Sequence, residues 1–143
     1  MRAANVKKMN VALMAHDNKK KLMENLCLAY RHILSKHQLF ATGTTGQLIE
    51  QAVNLPVNKY LSGHLGGEQQ LGVQISHNDI DLLIFLWDAV HKKPSEPDSA
   101  PLVQLCNIHN IPVAINLATA EVLLQALHRG DLDWREMLRH ESS

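Results

Sequence analysis

The chain has 143 residues, enough for one domain with its own core, and it reads as a single domain over 1–143. Fourteen Lys and Arg stand against fourteen Asp and Glu, so no net field recruits nucleic acid or an anionic membrane. Two cysteines, Cys27 and Cys106, are too few for a disulfide framework and lack metal-site spacing, and no apolar run is long enough to span a bilayer; a cytoplasmic protein without nucleic-acid or membrane partners is expected.

Strand and helix signals alternate from the N-terminus. The start, Met1 to Lys8, is basic but lacks the apolar segment of a signal peptide. Val11 to Ala15 is a short apolar run that stops at the polar pair His16-Asp17. From Lys19 to Leu34 the residues Leu22, Leu26, Ala29, Ile33 and Leu34 recur at helical spacing, with Cys27 as a packing thiol. Leu39-Phe40-Ala41 is a second strand, ending in Thr42-Gly43-Thr44-Thr45-Gly46, and a short helix follows over 46–52. Val57 to Leu61 is a weaker strand that ends at Ser62-Gly63, and Glu68 to Ile75 reads as a helix.

Asp81 to Leu86 is continuously apolar after its first residue, as a central parallel strand covered on both faces should be. Trp87-Asp88 closes it. Asp98 or Ser99 caps the next helix, with Pro101 in its first turn and an end near His109. Ile111 to Ile115 is a fifth strand, and Thr119 caps a helix over 120–127. The polar tail from Arg129 to Ser143 is expected to cover a neighbouring surface. Five strands alternating with helices make an α/β protein with a five-stranded parallel sheet, and ligands bind such sheets outside the carboxyl ends of the strands.

Four of the five carboxyl ends carry chemistry: His16-Asp17, Thr42 to Thr45, Ser62 to Glu68, and Trp87-Asp88. The two Gly-rich, hydroxyl-rich loops open helices and offer backbone N–H groups to an anion. Lys20, early in the first helix, can place an ammonium beside it. A plainer reading makes Gly43 and Gly46 turn residues, the threonines caps, and Lys20 one of three solvated lysines. Neither a dinucleotide fingerprint nor a P-loop is present, so the phosphate is that of a small metabolite. Asp17, Glu68, Asp88 and Asp98 converge on the same crevice, where repulsion and partial burial should raise carboxylate pKa values toward those of a general base. His16, His64 and His91 are candidate donors. No Cys/His/carboxylate spacing suggests a metal.

At these loops the chain resembles the methylglyoxal synthase family. The resemblance runs from about Asn10 to Ala126. It rests on Ala15-His16-Asp17 with Lys20, Ala41 to Gly46, Leu61-Ser62-Gly63 with Gly66-Gly67 and Gln69-Gln70, Phe85 to Asp88, Pro97-Asp98, Ile111 to Ala114, and Asn116 with Ala118-Thr119-Ala120. It implies a three-layer α/β/α sandwich, a homohexamer, and conversion of dihydroxyacetone phosphate to methylglyoxal and inorganic phosphate with no cofactor or metal. By the same resemblance Lys20, Thr42, Thr44, Thr45, Ser62 and Gly63 hold the phosphate, and His16, Asp17, Asp88 and Asp98 match other active-site positions.

Two departures stand out. The family's catalytic aspartate in Gly-Gly-Asp-Gln-Gln is Glu68 here, the same carboxylate on one extra methylene, and roughly an ångström of displacement can cost on the order of a hundredfold in rate. Where the family usually has a proton-shuttling histidine, this chain has Ser95, and His91 in the same loop is the expected substitute. The competing readings are a synthase-like module that senses phosphate or a phosphorylated metabolite without catalysis, and an isomerase or lyase acting on another sugar phosphate.

Overall fold

The computed structural model describes residues 7–61, 66–94, 96, 98 and 100–142, with side chains to 138. Five strands, β1 (Asn10–Ala15), β2 (Gln38–Ala41), β3 (Asn58–Lys59), β4 (Leu82–Leu86) and β5 (Val113–Ala114), form one sheet in the order β3-β2-β1-β4-β5. Every pairing is parallel. The period of two splits the central strands between faces. Val11, Leu13, Leu82, Ile84 and Leu86 point to one side, where α1 (Lys20–Ala29), α2 (Arg31–Leu34), α3 (Gly43–Val53) and α6 (Leu117–Arg129) pack. Ala12, Met14, Leu83 and Phe85 point to the other, against α4 (Gly67–Ser76) and α5 (Ala100–Ile108). The result is the expected three-layer sandwich. All of β4 is buried, and each of its large side chains contributes roughly 1.5–3 kcal/mol by leaving water.

Strand order places a topological switch between β1 and β4, since the chain leaves β1 toward one sheet edge and β4 toward the other. Open α/β sheets bind ligands at such a crevice. The two strands are stitched there: the His16 N–H donates to the Leu86 carbonyl at 3.1 Å.

Several element boundaries differ from the sequence reading. The helix expected over 19–34 breaks at Tyr30, whose φ of −110° and ψ of 21° leave the helical region. The break lets Arg31 donate from Nε to the Val53 carbonyl at 2.6 Å, serving an orphan carbonyl at the end of α3. α3 begins at Gly43, not Gly46, with Thr42 as its N-cap. Gly46 is therefore no turn residue: a Cβ on it would lie 2.6 Å from Lys59 Cγ, so it is small to let α3 pack on β3. β3 has two residues rather than the expected five, and both are exposed at the sheet edge. α6 is capped by Asn116, whose side chain accepts the Thr119 N–H at 3.0 Å, so Thr119 lies inside the first turn rather than at the cap.

The tail forms a further helix, α7 (Arg135–Ser142). Arg135 is fully buried at the amino ends of the strands. Its Nε meets Asp81 Oδ1 at 3.2 Å, Nη1 meets the Asn110 carbonyl at 2.7 Å, and Nη2 meets Asn78 Oδ1 at 2.5 Å. Cys27 and Cys106 are buried and free, and burial pushes both thiols up to about 12. Among the described residues no helix is long and apolar enough to cross a membrane.

Candidate functional site

His16, Asp17 and Lys20 follow β1, Thr42, Thr44 and Thr45 follow β2, and Asp88 and His91 follow β4, all at the carboxyl side of the sheet. Glu68 lies in the first turn of α4, and Asp98 precedes α5. Ser62, Gly63, His64 and Ser95 lie outside the described residues.

His16 is 1% exposed. The Asp88 N–H donates to its Nδ1 at 2.9 Å, which requires a lone pair there and puts the ring proton on Nε2. The ring sits edge-on to Phe85, with centroids 5.1 Å apart. The Asp88 carboxylate, also buried, turns back to its own loop. It accepts from Asn18 Nδ2 at 3.0 Å, from the Val90 N–H at 3.0 Å and from the His91 N–H at 2.8 Å. Those donors, the His91 N–H foremost, hold it down at about 2. The His91 imidazole is 72% exposed, its Nδ1 3.8 Å from Asp88 Oδ1.

Asp17 accepts from Lys20 Nζ and Lys93 Nζ, each at 2.8 Å. These hydrogen bonds, Lys20's first, depress its carboxyl to about 2. The expectation that all four carboxylates raise one another is thus corrected. Asp17 and Asp88 go down because each has more donors than carboxylate neighbours. Lys20 also donates to the Ala15 carbonyl at 3.3 Å, which leaves one of its three ammonium donors without a partner among the described residues.

Glu68 moves the other way. Burial raises its pKa most, the nearby Asp98 charge adds to the rise, and the Lys92 ammonium opposes it. Glu68 and Asp98 line a groove of about 550 Å³ between α4 and α5, together with Val73, Ser76, His77, Leu102 and Leu105. The Gly66 N-cap holds φ at +106°, a conformation that favours glycine and turns the chain into α4 just ahead of Glu68.

The start of α3 gathers donors of the kind that suit an anion. Helix geometry leaves the first-turn N–H groups of Thr44 and Thr45 without carbonyl partners. Thr42 makes no side-chain cap. Thr45 Oγ1 is buried, and among the described residues it has no hydrogen-bond partner. A buried hydroxyl left unpaired costs free energy, so its partner is to be sought in a ligand.

The residues that sequence reading missed lie in the loop after β4. Glu96 Oε2 accepts the Asp17 N–H at 2.5 Å, and its Oε1 accepts the Lys93 N–H at 2.8 Å. With Lys93 on Asp17, this clamps the loop to the end of β1. The basic pair Lys92-Lys93 was visible as charge, but nothing in periodicity or spacing tied it to Asp17.

A family model described as MGS-like domain matches residues 24–115. The methylglyoxal synthase of Caldicellulosiruptor saccharolyticus is 56% identical over 130 residues, covering 91% of this chain and 92% of that protein. That of Listeria welshimeri is 50% identical over 133 residues, 93% of this chain and 99% of the relative. The crystal structure of methylglyoxal synthase from Elizabethkingia anophelis superposes with a TM-score of 0.81 at 40% identity, covering 83% of this chain and 78% of that one. With a matching family model, relatives of 50–56% identity over nine-tenths of its length and a parallel sheet of matching architecture, the chain belongs to the MGS-like domain family.

Proposed function

We propose that this chain is an enzyme, a methylglyoxal synthase that converts dihydroxyacetone phosphate to methylglyoxal and inorganic phosphate. The observation that carries the reading is kinship at 50–56% identity over nine-tenths of the chain with proteins named for that activity. Three local features support it: the Thr45 hydroxyl, unpaired among the described residues, beside the first-turn N–H groups of α3, the raised proton affinity of Glu68, and the fixed tautomer of His16.

In the reaction, Glu68 removes a proton from the carbon bearing the free hydroxyl. The C–H electron pair moves toward the carbonyl, giving an enediolate, and positioned donors stabilise the oxyanion. Nε2–H of His16 is one such donor. The π electrons of the enediolate then expel phosphate as the C–O bond breaks and the hydroxyl proton is lost, which gives an aldehyde and the enolate of methylglyoxal; a proton taken from solvent by the carbon that carried the phosphate completes methylglyoxal. Lys20, Thr42, Thr44 and Thr45, together with Ser62 and Gly63, hold the phosphate so that the breaking bond stands perpendicular to the enediolate plane. An isomerase would hold it in plane, so the outcome is a matter of positioning. Asp17 and Asp88 are too well supplied with donors to act as bases. Asp17 orients Lys20, Asp88 orients His16, and Asp98 tunes Glu68. The assembly is taken to be the homohexamer that the family implies, which sedimentation velocity tests.

The deciding experiment incubates purified protein with dihydroxyacetone phosphate and measures methylglyoxal and phosphate together, with Glu68→Gln as control. Equal release of both products, absent in the variant, establishes the synthase. No release from the natural chain, with phosphate still bound, would instead make it a sensing module.

A further inference from the structure

Leu61 lies just past the two-residue strand β3, so sheet pairing does not fix its backbone. Two other contacts do. Its N–H donates to Gln70 Oε1 at 2.7 Å, and its carbonyl accepts the Gly43 N–H at 3.3 Å. Gln70 belongs to α4, two residues after Glu68, and Gly43 opens α3, one residue before Thr44. The backbone of one residue is therefore bonded both to the helix of the proposed base and to the helix whose first turn would hold the phosphate.

Those two helices pack on opposite faces of the sheet, α3 through Ile49 and Val53, α4 through Leu71 and Ile75, so the sheet lies between them. Leu61 closes that gap at the site end. It is also near the start of α4: a Cβ on Gly66 would lie 3.9 Å from Leu61 Cδ1, and the Gln70 N–H donates to the Gly66 carbonyl at 3.2 Å. One turn further along α4, Gln74 Oε1 accepts the Tyr60 hydroxyl. Residues four apart share a helix face, so α4 presents two amides to two consecutive residues of the passing chain. The amides differ in setting. Gln74 is half-buried, and its partner Tyr60 stacks on Phe40 with centroids 6.1 Å apart. Gln70 is exposed, where one hydrogen bond adds little to stability. An acceptor there is better explained by what it places than by what it stabilises.

We infer that Gln70 is a positioning residue, whose side-chain carbonyl holds the Leu61 N–H and so keeps the base on α4 in one frame with the phosphate held at the start of α3. The inference rests on the synthase reading above. The Leu61 N–H needs an acceptor, and of the two amide atoms of Gln70 only Oε1 can serve. Without it Leu61 stays bonded to Gly43 but is released from α4. The base and the bound phosphate then lose their common reference, and about an ångström of misplacement costs on the order of a hundredfold in rate. The donors of α3 are untouched, so the effect falls on kcat and spares phosphate binding.

The test compares the natural chain with Gln70→Leu, which keeps a good helix former and removes the acceptor, and Gln70→Glu, which keeps an acceptor. Methylglyoxal formation is followed at about pH 8, well above the carboxylate range, so that the charge added in Gln70→Glu does not act through protonation of Glu68. Inorganic phosphate binding is measured by calorimetry, and hydrogen exchange at the Leu61 amide by NMR. Gln70→Leu should exchange that amide faster and lower kcat about ten- to a hundredfold, with a melting temperature near the natural one and phosphate affinity within about threefold. Gln70→Glu should recover most of the lost rate. A Gln70→Leu variant with the natural kcat, or with unchanged exchange at Leu61, would overturn the inference while leaving the synthase reading intact. So would one whose rate, phosphate affinity and melting temperature fall together without recovery in Gln70→Glu, because Gln70 would then merely brace the fold. If the natural chain itself makes no methylglyoxal, the synthase reading fails first and takes this inference with it.

Discussion

The backbone N–H of Asp88 donates to Nδ1 of His16 at 2.9 Å, so the loop after β4 decides which nitrogen of a histidine after β1 carries the proton. Seventy-two residues separate the two in sequence. The contact exists because β1 and β4 are neighbours at the switch point, in register to Ala15 and Leu86.

Two substitutions at His16 separate its ring nitrogens. His16→Asn keeps an acceptor near the Nδ1 position and loses the Nε2 donor. It should fold with little loss of stability and lose about a hundredfold in kcat. His16→Gln keeps a donor near Nε2 but leaves the Asp88 N–H without its acceptor, at a cost of about 1–3 kcal/mol. It should melt lower and retain more activity. Thermal melts and initial rates on the two variants check the crossing pattern, and equal losses in both would show that the ring is needed only for packing on Phe85.

Glu68 has to be ionised to take a proton, and its pKa lies above the ordinary glutamate value of 4.5. The acid limb of kcat/KM should accordingly fall at a pH above 4.5. Asp98→Asn removes one of the causes of that rise, so its limb should move to lower pH while the protein still turns over. Glu68→Gln should remove turnover and keep phosphate affinity. Glu68→Asp should retain or raise activity, since it restores the family's shorter carboxylate. A dead aspartate variant would mean that the site has been rebuilt around the longer side chain.

Thr45→Val tests the cradle in both states of the protein. Its hydroxyl is buried and unpaired among the described residues. Replacing it by a methyl of similar size should stabilise the free protein by about 1 kcal/mol or leave it unchanged. The same change should weaken phosphate binding about tenfold, because the anion loses a donor. Melting curves without phosphate and calorimetry with it read the two effects separately. A destabilised variant with unaltered phosphate affinity would assign Thr45 to the core instead.

Much of this was legible in the sequence, for a physical reason. A parallel strand buried on both faces must be apolar throughout, so β4 declared itself, and ligands bind such sheets at the carboxyl ends of the strands, so the polar groups there marked the candidate site. What was not legible depends on pairs far apart in the chain. The order of the strands, the Lys93–Asp17 contact and the Glu96 clamp on the Asp17 N–H leave no periodic trace. They also reverse the expected direction for two carboxylates: crowding alone predicts raised pKa values, and only the donors around Asp17 and Asp88 show otherwise. The break at Tyr30 is hidden because Ile33 and Leu34 still suit the helical stripe, while its cause lies with Arg31 reaching α3. Ser62, Gly63 and Ser95 were named from sequence and lie outside the described residues.

The end of the sheet opposite the site buries charged and titratable groups whose pairing bears on stability at acid pH. Arg135 and Asp81 form a buried pair there, and Arg135→Leu should cost about 3–5 kcal/mol because it leaves Asp81 buried without its cation. Nearby, His37 accepts the Met9 N–H on Nδ1 at 3.0 Å. Burial lowers its pKa from 6.5 to about 4, against the pull of Asp133 and Asp81. The folded state therefore favours the neutral ring. Its contribution is complete above pH 6.5, where the unfolded chain is also neutral. It is lost progressively as the pH falls from 6.5 to 4, because the unfolded chain binds a proton that the folded one resists. The full difference is about 3 kcal/mol. His37→Asn can still accept the Met9 N–H and does not titrate, so its denaturant midpoint should fall less steeply over that pH window than that of the natural chain. Parallel curves for the two proteins would place the acid sensitivity elsewhere.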